Sequence, residues 1–176
     1  MEPVWQIVGY VIPALVVFVV TYFTLQAFLN KEYKLRLIEY RQTAIREALP
    51  VRLQAYERLT LFLERIALNN LLPRVRKGDM TTAEFRTALI NNIKMEYEHN
   101  LSQQVYVSNQ SWAMIKIAKE EVIGIINRNS MELPPDVPGI ELHKKILAEM
   151  AETSEDEITS RAAGQLKKEV LDLYER

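Results

Sequence analysis

Residues 3–30 contain no Asp, Glu, Lys or Arg. No other feature constrains the chain as strongly, because it decides which solvent the first segment tolerates. The core reads Val4-Trp5-Gln6-Ile7-Val8-Gly9-Tyr10-Val11-Ile12-Pro13-Ala14-Leu15-Val16-Val17-Phe18-Val19-Val20. At about 1.5 Å per residue, a helix over 4–29 is roughly 39 Å long. A bilayer hydrocarbon core is about 30 Å thick, so the run predicts one tilted transmembrane helix. Trp5 and Tyr10 near one end, and Tyr22 and Tyr33 near the other, match interfacial aromatic belts. Pro13 removes the helix bond to Gly9 and predicts a kink. The competing reading is a buried core helix, which an unbroken run of this length in so small a protein opposes.

The flanks set a direction. Only Glu2 precedes the run, whereas Lys31, Lys34, Arg36, Arg41 and Arg46 follow it, against Glu32, Glu39 and Glu47. The positive-inside rule places the N-terminus outside and the remainder in the cytoplasm, as for a single-pass membrane protein. A cleaved signal is disfavoured: no Lys or Arg precedes the apolar stretch, and no A-x-A site follows it. The lipid bilayer is the first expected partner. Lys31, Lys34 and Arg36 join Trp5, Tyr10, Tyr22 and Tyr33 at its surfaces.

The rest of the chain predicts an all-α body: an antiparallel helical bundle or hairpin after the anchor. It is rich in Leu, Ile, Ala, Glu, Lys, Arg and Gln, and the 176 residues include five Gly. Cys is absent, which excludes disulfides, thiolate metal sites and a Cys nucleophile. Residues 31–77 carry eleven Lys/Arg against five Asp/Glu, and residues 132–176 carry six against eleven. A basic segment beside the membrane and an acidic tail suggest a surface sensor as one alternative role. The basic residues alternate with Leu and Glu, so nucleic acid is not an expected partner.

Apolar residues at Leu49, Leu53, Tyr56, Leu59, Leu63 and Ile66 mark an amphipathic helix, ended by Asn69-Asn70, Pro73 and Gly78. Pro50 either kinks a longer helix or opens this one. Thr81-Thr82-Ala83-Glu84 is a capping box for a helix through Phe85, Leu89, Ile93, Tyr97 and Leu101, running to about Tyr106. Ser108 is an N-cap for a fourth helix carrying Trp112, Ile115, Ile117, Val122, Ile125 and Ile126. The Pro-rich stretch then predicts a stiff linker. The expected organisation is a span at 4–29, a cytoplasmic helical domain at 31–130, a linker at 131–139, and a peripheral acidic hairpin at 140–176. Ser154-Glu155-Asp156-Glu157 is a second capping box, opening the last helix.

The chemistry concentrates at Glu96-Tyr97-Glu98-His99-Asn100-Leu101-Ser102-Gln103-Gln104. Helical spacing puts Glu96, His99, Asn100 and Gln103 on one face. Glu96 and His99 have the E-x-x-H spacing of carboxylate-bridged dimetal bundles. Such a site needs a second E-x-x-H, and His143 in Glu141-Leu142-His143 lacks the spacing. Glu57 and Glu64 are the carboxylates available to complete a metal- or ligand-binding bundle, the other alternative. The simpler reading is a polar network or interaction face formed by Glu96, Glu98, His99, Asn100, Gln103, Gln104 and Trp112. No glycine elbow flanks Ser102 or Ser108, and there is no Gly-rich phosphate loop, so no catalytic residue and no cofactor are expected.

Two blocks carry a family likeness: Leu53-Gln54-Ala55-Tyr56-Glu57-Arg58-Leu59-Thr60-Leu61-Phe62-Leu63-Glu64-Arg65-Ile66, and Glu96 to Ser108 with Trp112. Over residues 4–130 the chain resembles an uncharacterised family of small bacterial membrane proteins with one N-terminal span and a cytosolic helical domain. The resemblance implies topology and supplies no activity. Together these readings point to a non-enzymatic, membrane-anchored adaptor or assembly subunit with a homo-oligomeric or membrane-complex partner.

Overall fold

Helix boundaries follow local chemistry wherever a short polar side chain can take an orphan N–H. The computed structural model describes residues 2–152 and 157–174. The side chains of 2–14, 41, 44, 45, 152 and 157 lie outside the description, and with them those of Trp5, Tyr10 and Pro13 and the second expected capping box. The elements are α1 (Glu2–Ile66), α2 (Leu68–Val75), α3 (Thr82–Asn100), a 3-10 turn (Leu101–Val105), α4 (Asn109–Met131), α5 (Gly139–Glu152) and α6 (Glu157–Tyr174). There is no strand among the described residues, so the expected all-α class holds.

The chain divides into two units, Met1–Leu49 and Pro50–Arg176. In the first, every described side chain from Leu15 to Tyr40 is exposed except that of Glu32, which is half-buried. Among the described residues no helix is long and apolar enough to cross a membrane. The expected span begins at Val4, and its part from Val4 to Ala14 lies outside the described side chains.

The second unit holds the core. Leu59, Phe62, Leu63 and Ile66 of α1 pack with Phe85, Leu89 and Ile93 of α3 and Ile115, Val122, Ile125 and Ile126 of α4. Leu71 and Leu72 close one side, and Leu142, Ile146, Ala162 and Leu166 bring α5 and α6 into the same cluster. The helix passes Pro50 without ending, and the break comes at Ala67, in extended backbone (ψ 130°), before the expected Asn69-Asn70.

The start of α3 explains why segment 131–139 is no free linker. Glu84 N–H donates to Thr81 Oγ1 (3.3 Å), and the Glu84 carboxylate accepts from Thr81 N–H (2.9 Å), as a capping box requires. Thr82 N–H donates to Val137 O (2.8 Å) and Ala83 N–H to Pro135 O (3.2 Å). The Pro-rich stretch thus supplies acceptors for donors that no helix can satisfy internally. Gly139 N–H returns a bond to Met80 O (2.7 Å). A Cβ at Gly139 would lie 3.0 Å from both Met80 O and Phe85 Cβ, tight enough that any other residue would have to push its neighbours back by a few tenths of an ångström.

Candidate functional site

The conspicuous polar block lies at the end of α3, facing α1. Arg58, Leu61, Phe62 and Arg65 of α1 oppose Glu96, His99 and Asn100 across a shallow cleft of about 170 Å³. Arg65 Nε donates to Glu96 Oε1 at 2.9 Å. Asn100 is buried, and its amide donates back to Glu96 O (2.8 Å). The α-helix ends at Asn100, and Gln103 and Gln104 lie in the 3-10 turn that follows. Buried Gln103 donates to Ser102 Oγ (3.1 Å), and Gln104 is exposed. Glu98 and His99 are exposed as well.

Trp112 belongs to an aromatic stack. Its ring lies 5.6 Å from Tyr97, which lies 6.0 Å from Phe62, and the Lys119 ammonium sits 4.3 Å from the Tyr97 centroid. This arrangement fixes α3 against α1 and α4 and adds a cation–π contact.

The metal candidates do not converge. Glu57 is exposed and lines a different groove, against α6. Glu64 is exposed, and its backbone carbonyl accepts from Asn70. Glu96 is engaged by Arg65. Among the described residues no group of three or more His, Asp or Glu is placed to hold a metal ion.

A second polar cluster escaped the sequence reading. Glu169 of α6 reaches the N-terminus of α4, where one carboxylate oxygen accepts from Ser108 N–H (2.8 Å) and Tyr56 Oη (2.8 Å). The other accepts from Ser108 Oγ (2.9 Å) and Ser111 Oγ. Ser108 Oγ accepts in turn from Ser111 N–H (3.1 Å), as expected of an N-cap. Arg52 completes the cluster, donating to Tyr56 Oη (3.3 Å) and Tyr106 O (3.3 Å).

Electrostatics explain why it forms. The first turn of α4 contains no acidic residue, so its partial positive charge is met from α6. Burial alone would raise the Glu169 carboxyl pKa, but the hydrogen bonds from Ser111, Tyr56 and Ser108 outweigh it and hold the group below its ordinary value. Tyr56 is pushed up to about 12, first by burial and then by its bond to Glu169. A carboxylate stabilised in this way is a weak base, so the arrangement locks α1, α4 and α6 together rather than activating Ser108 or Ser111. The available sequence signal was an N-cap serine opening a helix without acids.

His143 belongs to neither cluster. Its ring stacks on Phe85 (6.3 Å, 13°) and its Nδ1 has no hydrogen-bond partner. Burial, then the charge of Arg76, lowers its pKa.

The fold and these clusters define an all-α protein whose polar groups tie helices together. The chain belongs to the family of unknown function DUF7935, whose match covers residues 2–173. The match continues through α5 and α6, beyond residue 130 where the likeness seen in the sequence stops. No curated protein and no solved structure matches the chain.

Proposed function

We propose that this protein is a membrane-anchored, non-catalytic adaptor or assembly subunit. In this reading residues 4–29 cross the bilayer of a bacterial inner membrane once, with the N-terminus outside, and the helical body engages a homo-oligomeric or membrane-complex partner in the cytoplasm. One observation carries it. Apolar side chains from Leu15 to Leu29 are exposed around the whole circumference of the helix, including Phe18 (71%), Phe23 (63%) and Phe28 (62%). Such a surface in water needs a cover, and a two-sided contact would leave part of it wet. The Thr24 hydroxyl donates to Val20 O (2.7 Å), which removes one polar cost of a lipid environment. The first charges, Lys31, Lys34 and Arg36, are exposed, with Arg36 paired to Glu32 (2.7 Å).

The chain has no cysteine, so topology is directly measurable. A single Cys at position 2 should react with a membrane-impermeant maleimide in intact cells, and one at Asp79 only after permeabilisation. The protein should resist alkaline extraction, and crosslinking in detergent should trap an oligomer or partner. Release by alkali, equal labelling at both positions, or a strict monomer without partner each counts against the proposal.

A further inference from the structure

Between α1 and α6, within the second unit, lies a groove of about 580 Å³. Its walls include Leu53, Tyr56 and Thr60 on one side and Leu166, Val170 and Leu171 on the other. The hydroxyl groups of these walls are already used. Thr60 Oγ1 donates to Tyr56 O (2.8 Å), and Tyr56 Oη to Glu169 (2.8 Å). Between the charged side chains of Glu57 and Lys167 the surface is apolar, and Leu171 remains 55% exposed.

Gly164 also lines the groove. It sits inside α6, where glycine is less favourable than alanine. A Cβ there would meet nothing within 4 Å, so packing within the chain gives no reason for it. Gly124 of α4 has similar open space but lines no cavity among those described. A glycine inside a helix that also borders an apolar groove suits close approach of another backbone.

We infer that the α1–α6 groove receives an amphipathic helix from another protein, its apolar face between Leu53 and Leu171 and its backbone beside Gly164. The length fits: residues 53–60 of α1 and 163–171 of α6 each offer about two helical turns, roughly 10–12 Å, enough for anchors at i, i+3 or i+4, and i+7. The rim sets the charges. Glu57 is exposed on the α1 wall and Lys167 on the α6 wall. A helix with a basic residue on one flank and an acidic one on the other pairs with both. A simple anionic amphiphile would satisfy Lys167 and meet repulsion from Glu57. This inference names the docking site of the adaptor reading and rests on it.

The test places a benzophenone amino acid at Leu171, and separately at Ile117 on α4, in the full-length chain within native membranes. Irradiation at 171 should yield an adduct with a peptide of another protein showing the i, i+3/i+4, i+7 apolar pattern and oppositely charged flanks. Gly164→Leu should reduce that adduct at least tenfold without lowering the melting temperature. Lys167→Glu, at an exposed residue, should reduce it severalfold without crowding the helix. Gly164→Ala should raise the melting temperature by a few degrees; a fall would show that the fold itself needs the glycine and would overturn the inference. An adduct to lipid, to a second copy of this chain, or to a peptide without the pattern overturns it as well. So does retention of the adduct in both blocking variants. Adducts from 117 but not from 171 would sink the groove and leave the adaptor reading standing. None from either position would sink both.

Discussion

The two polar clusters differ in visibility and in grip. The Glu96 cluster is conspicuous in the sequence because most of its residues are near neighbours along the chain, yet Glu98, His99 and Gln104 face water. The Glu169 cluster is scattered over residues 52–169, and its carboxylate accepts from Tyr56, Ser108 and Ser111. Density of polar residues along a chain therefore says little about how much they hold together. What counts is how many hydrogen bonds one group makes and how many helices they tie together.

The largest expected effect is on the second cluster. Glu169→Ala leaves the Ser108 N–H and the Tyr56 and Ser111 hydroxyls without their acceptor, and should cost about 3 kcal/mol of stability. Glu169→Gln keeps one carbonyl oxygen and should cost roughly half of that. Denaturant titration of the full chain in detergent, followed through Trp112 fluorescence in a Trp5→Phe background, measures both. A loss below about 1 kcal/mol for the alanine variant would break the contrast between the clusters.

Much of the architecture was legible because it is local. The Thr81–Glu84 box and the Ser108 cap involve partners three residues apart, and Leu59, Leu63 and Ile66 advertise their face by period. What was hidden is non-local. Nothing in residues 131–139 announces that Val137 O and Pro135 O cap α3, since proline content signals stiffness and not direction. Likewise Glu169 reads as one more charge in an acidic tail until α6 is laid beside Ser108, 61 residues earlier.

Proton linkage sharpens the same comparison. The folded state raises the Tyr56 pKa to about 12 from an ordinary value near 10. Its contribution is therefore fully present below about pH 10 and is lost as pH rises toward 12. Glu169 is lowered, so its contribution is present above the unfolded carboxyl value of about 4.3 and is lost as pH falls below it. His143, also lowered, withdraws stability as pH falls below about 6.5. Midpoints of denaturation across pH should show an alkaline loss that shrinks in Tyr56→Phe, and a first acidic loss that disappears in His143→Phe. If Tyr56→Phe leaves the alkaline limb unchanged, the phenol is not held by Glu169 as described.

Smaller effects belong to the first cluster. The Arg65 side chain is 55% exposed and that of Glu96 19%. Water screens such a pair, so Arg65→Ala should cost at most about 1 kcal/mol, and less at high salt. A cost matching that of Glu169→Ala would show that the cleft holds the helices as firmly as the lock does.

The smallest effect should be at the residue most prominent in the sequence. His99 is exposed, and the neighbouring Glu96 carboxylate is directed to Arg65. No group of three or more His, Asp or Glu among the described residues completes a metal site around it. His99→Ala should therefore change stability by less than about 0.5 kcal/mol, in the range of ordinary surface substitutions. The same measurement with added Zn²⁺ decides between the two readings of the E-x-x-H pair. A bound ion would stabilise the parent in proportion to the logarithm of its concentration and leave the alanine variant unaffected. Equal response of the two proteins to the metal leaves Glu96 as the partner of Arg65, and His99 as a solvated side chain on the rim of the cleft.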